Sequence, residues 1–286
     1  MVQHPRVRVL LEGGCFFEGP RWHDGRWWVS DFFRHVVLAV DERGRSEELA
    51  RVDAQPSGLG WLPDGSLLVV SMRDRRVLRL LDGELKLHAD LAGLCDWPAN
   101  DMVVAADGRA FVGNFGFELD GGEPEPTSLV RVDPNGSASV AAGALMCPNG
   151  SVITPDGRTL IVGETFAARY TAFTIAVDGS LGERRVWADL RAGRIAPDGC
   201  ALDAEGCIWT ADARHNRCCR IAEGGAVLEE VALPEGLRCF ACMLGGDDGR
   251  TLLVCGAPDY DARRRSESRE AVLLTTHVDA PHAGLP

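Results

Sequence analysis

The chain has 286 residues, 45% of them apolar and 25% charged, the balance of an ordinary globular protein long enough to bury a large core. Its 42 Asp and Glu outweigh 30 Lys and Arg, giving a formal net charge of −12; this argues against nucleic acid and anionic membrane as partners, because both call for a basic patch. No run of 18 apolar residues is present, which excludes a transmembrane helix.

The N-terminal stretch MVQHPRVRVLLEGG comes first along the chain. Its apolar run is too short for the core of a signal peptide and has no convincing cleavage site, so a cytoplasmic protein is expected. Inside it, VRVLLE reads as a strand with no repeat of its own. One phrase then recurs six times: a short alternating stretch, an Asp-Gly or similar turn, and a strongly apolar strand. The copies are EGPRWHDGRWWVSD, SGLGWLPDGSLLVVS, NDMVVAADGRAFVGN, NGSVITPDGRTLIVGE, DGCALDAEGCIWTAD and ACMLGGDDGRTLLVCG. Their turn glycines are Gly25, Gly65, Gly108, Gly157, Gly206 and Gly249, separated by 40, 43, 49, 49 and 43 residues. Asp-Gly between alternating stretches is a hairpin signal, and a period of 40 to 50 residues marks one propeller blade per repeat. Further β-rich stretches follow each copy (VVLAVD, RVLRLL, SLVRVD, YTAFTIAVD and, later, VLEEVAL), which gives about four strands per unit. The last repeat runs out after a third strand, AVLLTTHV. The expected fold is therefore all-β, a single six-bladed β-propeller domain over 1–286 with four antiparallel strands per blade. VRVLLE would supply the outer strand of blade six and so close the ring.

The repeat register singles out one set of residues. The start of each inner strand and the end of the second strand lie on the face opposite the Asp-Gly turns. Counting back from the turn glycines, seven residues in the first copy and eight in the others, gives Glu18, Ser57, Asn100, Asn149, Asp198 and Ala241. Equivalent positions of a radial repeat form a ring around the axis. Four of the six, Glu18, Asn100, Asn149 and Asp198, are short-reach oxygen donors in apolar surroundings, where burial without a partner costs several kcal/mol each. Taken singly, Asn-Gly and Asp-Gly are ordinary turn pairs. At one repeat position, four together point to a hard cation on the axis. Two carboxylates and two amide oxygens suit Ca²⁺, with Mg²⁺, Mn²⁺ or Zn²⁺ as alternatives. Zn²⁺ favours His and Cys, which this count does not place in the ring.

At these residues the chain resembles the senescence marker protein / gluconolactonase / regucalcin family of metal-dependent lactonases. FFEGPRW, CPNGSVITPDGRTLIVGET, PDGCALDAEGCIWTAD and ACMLGGDDGRTLLV carry the likeness, which covers essentially the whole chain. The resemblance implies a six-bladed propeller with a divalent ion held by Glu18, Asn149 and Asp198. It implies that Asn100 touches metal or substrate, and that all four residues face a calcium ion as in the related diisopropyl fluorophosphatase type. It also implies that Asp198 is general base or nucleophile. One departure stands out. Sugar-lactone members carry an Arg two residues before the Asn that matches Asn100, and here, in CDWPAND, that position is Pro98. A guanidinium that would hold sugar hydroxyls is missing.

The loops on the same face carry Phe32, Phe33, Arg34 and His35, then Met72 and Arg73, Phe115 and Phe117, Phe166, His215 and Tyr260, with Trp97 on the approach to Asn100. Such a lining favours a small-molecule substrate of apolar or aromatic character. The expected substrate-binding set is Asn100, Trp97, Phe115, Phe117, Phe166 and His215. His35 and His215 are candidate proton carriers at neutral pH. The long blade-three loop FGFELDGGEPEPTS, within 115–128, has the length of a lid or of an insertion. DARRRSESRE, between the second and third strands of blade six, reads as a solvated loop.

The ten Cys, at 15, 95, 147, 200, 207, 218, 219, 239, 242 and 255, fall largely in apolar strand patterns and read as reduced thiols. Cys239 and Cys242 form a lone CxxC without the second pair of a zinc ribbon. No GxSxG elbow, HExxH, P-loop or GxGxxG after a strand appears. The function these observations predict is hydrolysis of a lactone or ester. The metal would polarise the carbonyl, and Asp198 would act as general base and ligand together with Glu18, Asn149 and Asn100. The alternatives are a phosphotriesterase-like hydrolase on the same site, a non-hydrolytic enzyme of the strictosidine synthase type, and a calcium-binding protein without catalysis. A monomer or weak oligomer is expected.

Overall fold

The computed structural model describes residues 7–119 and 121–286. Among the described residues the first element is β1 (Arg8–Gly14), followed by five complete four-stranded sheets. Blade one is β2 (Phe17–His23), β3 (Arg26–Asp31), β4 (Val36–Val40) and β5 (Ser46–Arg51). Blade two is β6 (Pro56–Trp61), β7 (Leu67–Ser71), β8 (Arg76–Leu81) and β9 (Glu84–Asp90). Blade three is β10 (Ala99–Val104), β11 (Ala110–Asn114), β12 (Pro126–Val132) and β13 (Ala138–Met146). Blade four is β14 (Pro148–Ile153), β15 (Thr159–Glu164), β16 (Arg169–Ile175) and β17 (Leu181–Asp189). Blade five is β18 (Pro197–Leu202), β19 (Ile208–Asp212), β20 (Arg217–Ile221) and β21 (Val227–Ala232). Blade six is β22 (Arg238–Gly245), β23 (Thr251–Ala257), β24 (Ala271–His277) and, on its outer edge, β1.

This is the six-bladed propeller that the repeat predicts, closed by the N-terminal strand: β1 pairs antiparallel with β24 from Arg8↔Thr275 to Gly14↔Ala271. The inner strands β2, β6, β10, β14, β18 and β22 meet in ring order, and β22 returns to β2. Burial falls from axis to rim. Strands β10, β14 and β18 are buried along their whole length, whereas β5 and β21 on the outer edges are mostly exposed. The driving force is apolar packing between blades, since each sheet is too small to bury both faces alone.

Each inner strand carries a bulge near its start, where its pairing with the second strand slips by one residue. A bulge re-aims side chains and bends the strand. Here it turns the second residue of the inner strand toward the axis. The blades then crowd together. A Cβ on Gly150 would lie 2.3 Å from the Asp198 carbonyl oxygen, and one on Gly199 would lie 2.6 Å from the Ala241 Cβ. Only glycine allows that approach.

Pairing corrects the count in one blade. Arg238↔Ala257 and Ala241↔Cys255 match Pro197↔Asp212 and Cys200↔Thr210, so Cys239, two residues before Ala241, is the blade-six equivalent of Asp198. The turn itself has the same length in both blades, closing at Leu202↔Ile208 and Gly245↔Thr251, but β22 has 8 residues against 6 in β18, which is why counting from its glycine misses. A second correction concerns 261–270. Within it lies helix α1 (Ala262–Glu267), capped by the Asp261 side chain, which accepts from Arg264 N at 3.0 Å. Arg265 is buried and reaches Asp259 at 3.3 Å and Glu270 at 3.0 Å. The many arginines hid an N-cap followed by a helical turn.

After β24 the chain runs along the turn face. Val278 N donates to Arg250 O, His282 N to Gly249 O and Ala283 N to Leu202 O, and Leu285 exchanges both backbone bonds with Ile153. The segment thereby joins blades six, five and four. All ten Cys are buried and free of disulfides.

Candidate active site

On the face opposite the turns, a cavity of about 220 Å³ opens at the axis. Glu18, Asn100, Asn149 and Asp198 all line it. They come from β2, β10, β14 and β18, each one residue into its strand, at the bulge. Ser57 of β6 and Cys239 of β22 hold the same position and do not line it. Ser57 instead donates its hydroxyl to Asn100 Oδ1 at 3.3 Å.

The local bonds orient the donors. Thr165 Oγ1 donates to Pro197 O at 2.8 Å, so it accepts from Asn149 Nδ2 at 3.2 Å and leaves the amide oxygen of Asn149 for the cavity. Glu18 Oε2 accepts from Gly19 N at 3.1 Å. Burial pushes the Asp198 carboxyl up to about 8, with the Asp101 charge adding to the effect. Glu18 is also raised, first by burial and then by Asp198 and Asp101. Two desolvated carboxylates facing one another lack a compensating charge at close range. The cation whose charge acts on Glu18 is Arg21, and it is engaged. It donates to Asp101 Oδ1 at 2.8 Å, Met102 O at 2.6 Å, Leu59 O at 3.0 Å and Pro20 O at 2.8 Å, so that blade one is bridged to blades two and three. Two carboxylates and two amide oxygens in one ring, half-buried at Glu18 and buried at Asn100, Asn149 and Asp198, therefore fit a hard divalent cation such as Ca²⁺. Among the described residues no cluster of three His, Cys, Asp or Glu gathers as a metal site, consistent with a donor set that is half amide. The thiol in the lining, Cys147, is pushed up to about 12 by burial and is no nucleophile at neutral pH.

Two aromatic walls rise above this floor. Phe16 packs on Phe240 at 4.8 Å between ring centroids, on Phe32 at 5.4 Å and on Phe33 at 6.1 Å, from blades one and six. On the other side Phe117 lies 5.8 Å from Phe115 and 5.5 Å from Phe166, from blades three and four. Leu119 of the blade-three loop also lines the cavity, together with Tyr260 and Ala262 of blade six. The loop closes on itself through Glu125 N to Gly116 O at 2.8 Å.

The structure brings Phe115, Phe117 and Phe166 together with the four ring residues. Trp97 and His215 lie outside the lining. His215 Nδ1 meets Asp212 Oδ2 at 2.8 Å, and His35 Nδ1 meets Asp53 O at 2.8 Å. Pro98 is buried, and its carbonyl accepts from Phe115 N at 3.1 Å, so blade three gives the cavity no guanidinium. Sequence reasoning missed Gln55, Arg214 and Arg238, which also line it. It missed a second repeated position as well. The last residue of the second strand accepts from the segment that leads into the inner strand of its own blade. Asp31 takes Cys15 N at 3.1 Å and Phe16 N at 3.2 Å, Glu164 takes Met146 N at 2.9 Å, and Asp212 takes Ala196 N at 3.2 Å. The signal was present in the polar residue that ends WVSD, LIVGE and IWTAD.

A family model described as the SMP-30/gluconolactonase/LRE-like region matches residues 16–257. A 6-deoxy-6-sulfogluconolactonase of Pseudomonas putida is 32% identical over 232 residues, covering 79% of this chain and 77% of the relative. The pentonolactonase XacC of Haloferax volcanii is 27% identical over 265 residues, covering 90% and 83%. Among solved structures, a calcium-binding protein, regucalcin, of Agrobacterium tumefaciens superposes with a TM-score of 0.82 at 22% identity, covering 99% of this chain and 97% of that one.

Proposed function

The chain belongs to the SMP-30/gluconolactonase/LRE-like family, and from that premise we propose that it is a divalent-metal-dependent lactone hydrolase with Asp198 as general base. One observation supports the reading: Glu18, Asn100, Asn149 and Asp198 all line a single aromatic-walled cavity. Relatives named as lactonases of sugar acids support lactone hydrolysis. The all-oxygen donor set favours Ca²⁺ over Zn²⁺.

Glu18, Asn100, Asn149 and Asp198 would hold the ion. Bound there, it would supply positive charge to the carbonyl oxygen, where negative charge builds as water adds to the carbonyl carbon and from which it passes to the alkoxide as the ring opens. The other roles belong to the chain. The aromatic walls hold the substrate and keep bulk water from the floor, which strengthens every charge interaction there. Asp198 accepts the proton of the attacking water and returns it to the alkoxide leaving group. A carboxyl whose affinity for protons is raised by its surroundings is a stronger base when ionised than one in water. Asn100, fixed by Ser57, orients the substrate oxygen.

The test is turnover of a panel of lactones, aryl esters and phosphotriesters, with Ca²⁺ and with chelator. Hydrolysis of lactones that chelator abolishes and Ca²⁺ restores is the expected result. Phosphotriester turnover without lactone turnover, or chelator-insensitive activity, would overturn the reading.

A further inference from the structure

We propose that the lactone bears an anionic substituent, which Arg214 and Arg238 bind at the rim of the cavity between blades five and six. The inference rests on the lactonase reading for the reaction, and on the cavity itself for the anion.

Both arginines line the cavity. Their backbones are tied together, because Cys239 N, next to Arg238, donates to the carbonyl of His215, next to Arg214, at 3.1 Å. Neither guanidinium makes an ion pair or side-chain hydrogen bond among the described residues. The acids beside them are spoken for. Asp212 takes His215 and, at 3.0 Å, Arg217. Asp259 takes Arg264 at 3.2 Å and Arg265, and Asp261 caps α1. Both residues are exposed, so their guanidinium groups stand in water where a ligand can reach them, and Arg73, which bonds Gln55, adds a third arginine to the lining.

The charge arrangement gives them one. The floor holds the carboxylates of Glu18 and Asp198, which a divalent ion would balance. The rim then leaves the cavity cationic. A substrate whose carbonyl sits over the floor and whose far end is a carboxylate, sulfonate or phosphate would satisfy both ends. Between floor and rim the lining is mostly phenylalanine, with Gln55, Arg73 and Thr165 as its other polar side chains, and such a lining favours an apolar body over a polyol. The ligand class is therefore an apolar or aromatic lactone with an anionic group remote from the ring carbonyl, rather than a neutral polyol lactone.

The experiment compares three lactones on the Ca²⁺-loaded protein: dihydrocoumarin, dihydrocoumarin with a carboxylate on its benzene ring, and glucono-1,5-lactone. In parallel, benzenesulfonate binding is measured by calorimetry on metal-free and loaded protein. The carboxylated lactone should have the highest kcat/KM. Arg214→Gln and Arg238→Gln should each lower the carboxylated-to-neutral ratio about fivefold, Arg→Lys less, and added salt should shrink the ratio in the parent protein. Benzenesulfonate should bind both forms and lose affinity in both Gln variants. If neutral and carboxylated lactones are turned over alike and the ratio ignores both substitutions, the anion assignment is overturned while the lactonase reading stands. A preference for the anion that neither substitution moves overturns the role of these arginines. If no lactone is opened but benzenesulfonate binds through Arg214 and Arg238, the anion site stands and the lactonase reading fails. If neither occurs, both fall.

Discussion

Asp198 is asked to be both ligand and base, and substitution can separate the two. Asn149→Ala removes a neutral donor, so Ca²⁺ affinity should drop and excess Ca²⁺ should restore most of kcat. Asp198→Asn keeps an oxygen for the ion but cannot take a proton, so kcat should fall at least a hundredfold even at saturating Ca²⁺. Titrating kcat with Ca²⁺ for both variants checks this, and full recovery of Asp198→Asn would leave the residue a ligand only. The carboxyls also fix a pH dependence. In the metal-free protein Asp198 is held up to about 8, against about 3.9 for a free Asp. The folded state thus binds the proton more tightly than the unfolded one. This contribution to stability is present below about pH 4 and is lost as pH rises through about 8. Metal-free protein should therefore be less stable at pH 8.5 than at pH 6 on this account. Ca²⁺ should stabilise it more at the higher pH and should release protons on binding, which calorimetry in buffers of different ionisation enthalpy measures. That Glu18, Asn100, Asn149 and Asp198 would line one cavity was legible because a radial repeat places equivalent positions on one circle. Arg73, placed on this face by its loop, does line the cavity, but Arg214 and Arg238 were not legible, because an Arg in a surface loop has no periodicity to distinguish a rim from open solvent. His215 and Trp97 were misplaced for the same reason: loop position gives the face of the ring and not the direction of a side chain.

At the level of strands, the bulge at the head of each inner strand links blade packing to the floor of the site. Gly150 follows Asn149 in that bulge, and its missing Cβ is where the Asp198 backbone sits. Gly150→Ala should cost about 1–3 kcal/mol, the usual range for an overpacked contact, and should weaken Ca²⁺ binding by pushing β14 from β18. Gly25→Ala, in a turn at φ 69° with open space around it, should strain the backbone and leave Ca²⁺ affinity alone. Urea unfolding and Ca²⁺ titration of both variants give the comparison, and equal Ca²⁺ affinities would disconnect the bulge from the site. The alternation and Asp-Gly turns made the hairpins readable. The bulges left no such mark, because one extra residue does not break the pattern of strands as short as 6 to 8 residues. The two-residue offset in blade six came from an inner strand, β22, that is two residues longer than β18, with a turn of the same length.

For the molecule as a whole, the period of the turn glycines announced six blades, and the surplus strand at one end matched the deficit at the other. The segment after β24 was illegible. APHAGLP has no strand pattern, yet its backbone bonds join three blades on the turn face. A chain ending at Asp279 should keep its site, since the site lies on the opposite face, and should lose several degrees of Tm with the missing backbone bonds. Thermal unfolding alongside lactone turnover tests this, and loss of turnover at unchanged Tm would contradict it.

The closure through β1 has a mechanical side. Arg8 pairs with Thr275 near the end of β24, and Gly14 pairs with Ala271 at its start. The two chain ends therefore leave the seam at the same side. A pull applied to both ends first strips the terminal segment from blades four, five and six, then enters the β1–β24 ladder at its open end. The pairs separate singly, as a zipper opens, rather than all at once in shear. In a force-extension trace this appears as a small, low-force release before any blade ruptures. The ring is thus a clasp whose weakest direction is the one in which it was fastened.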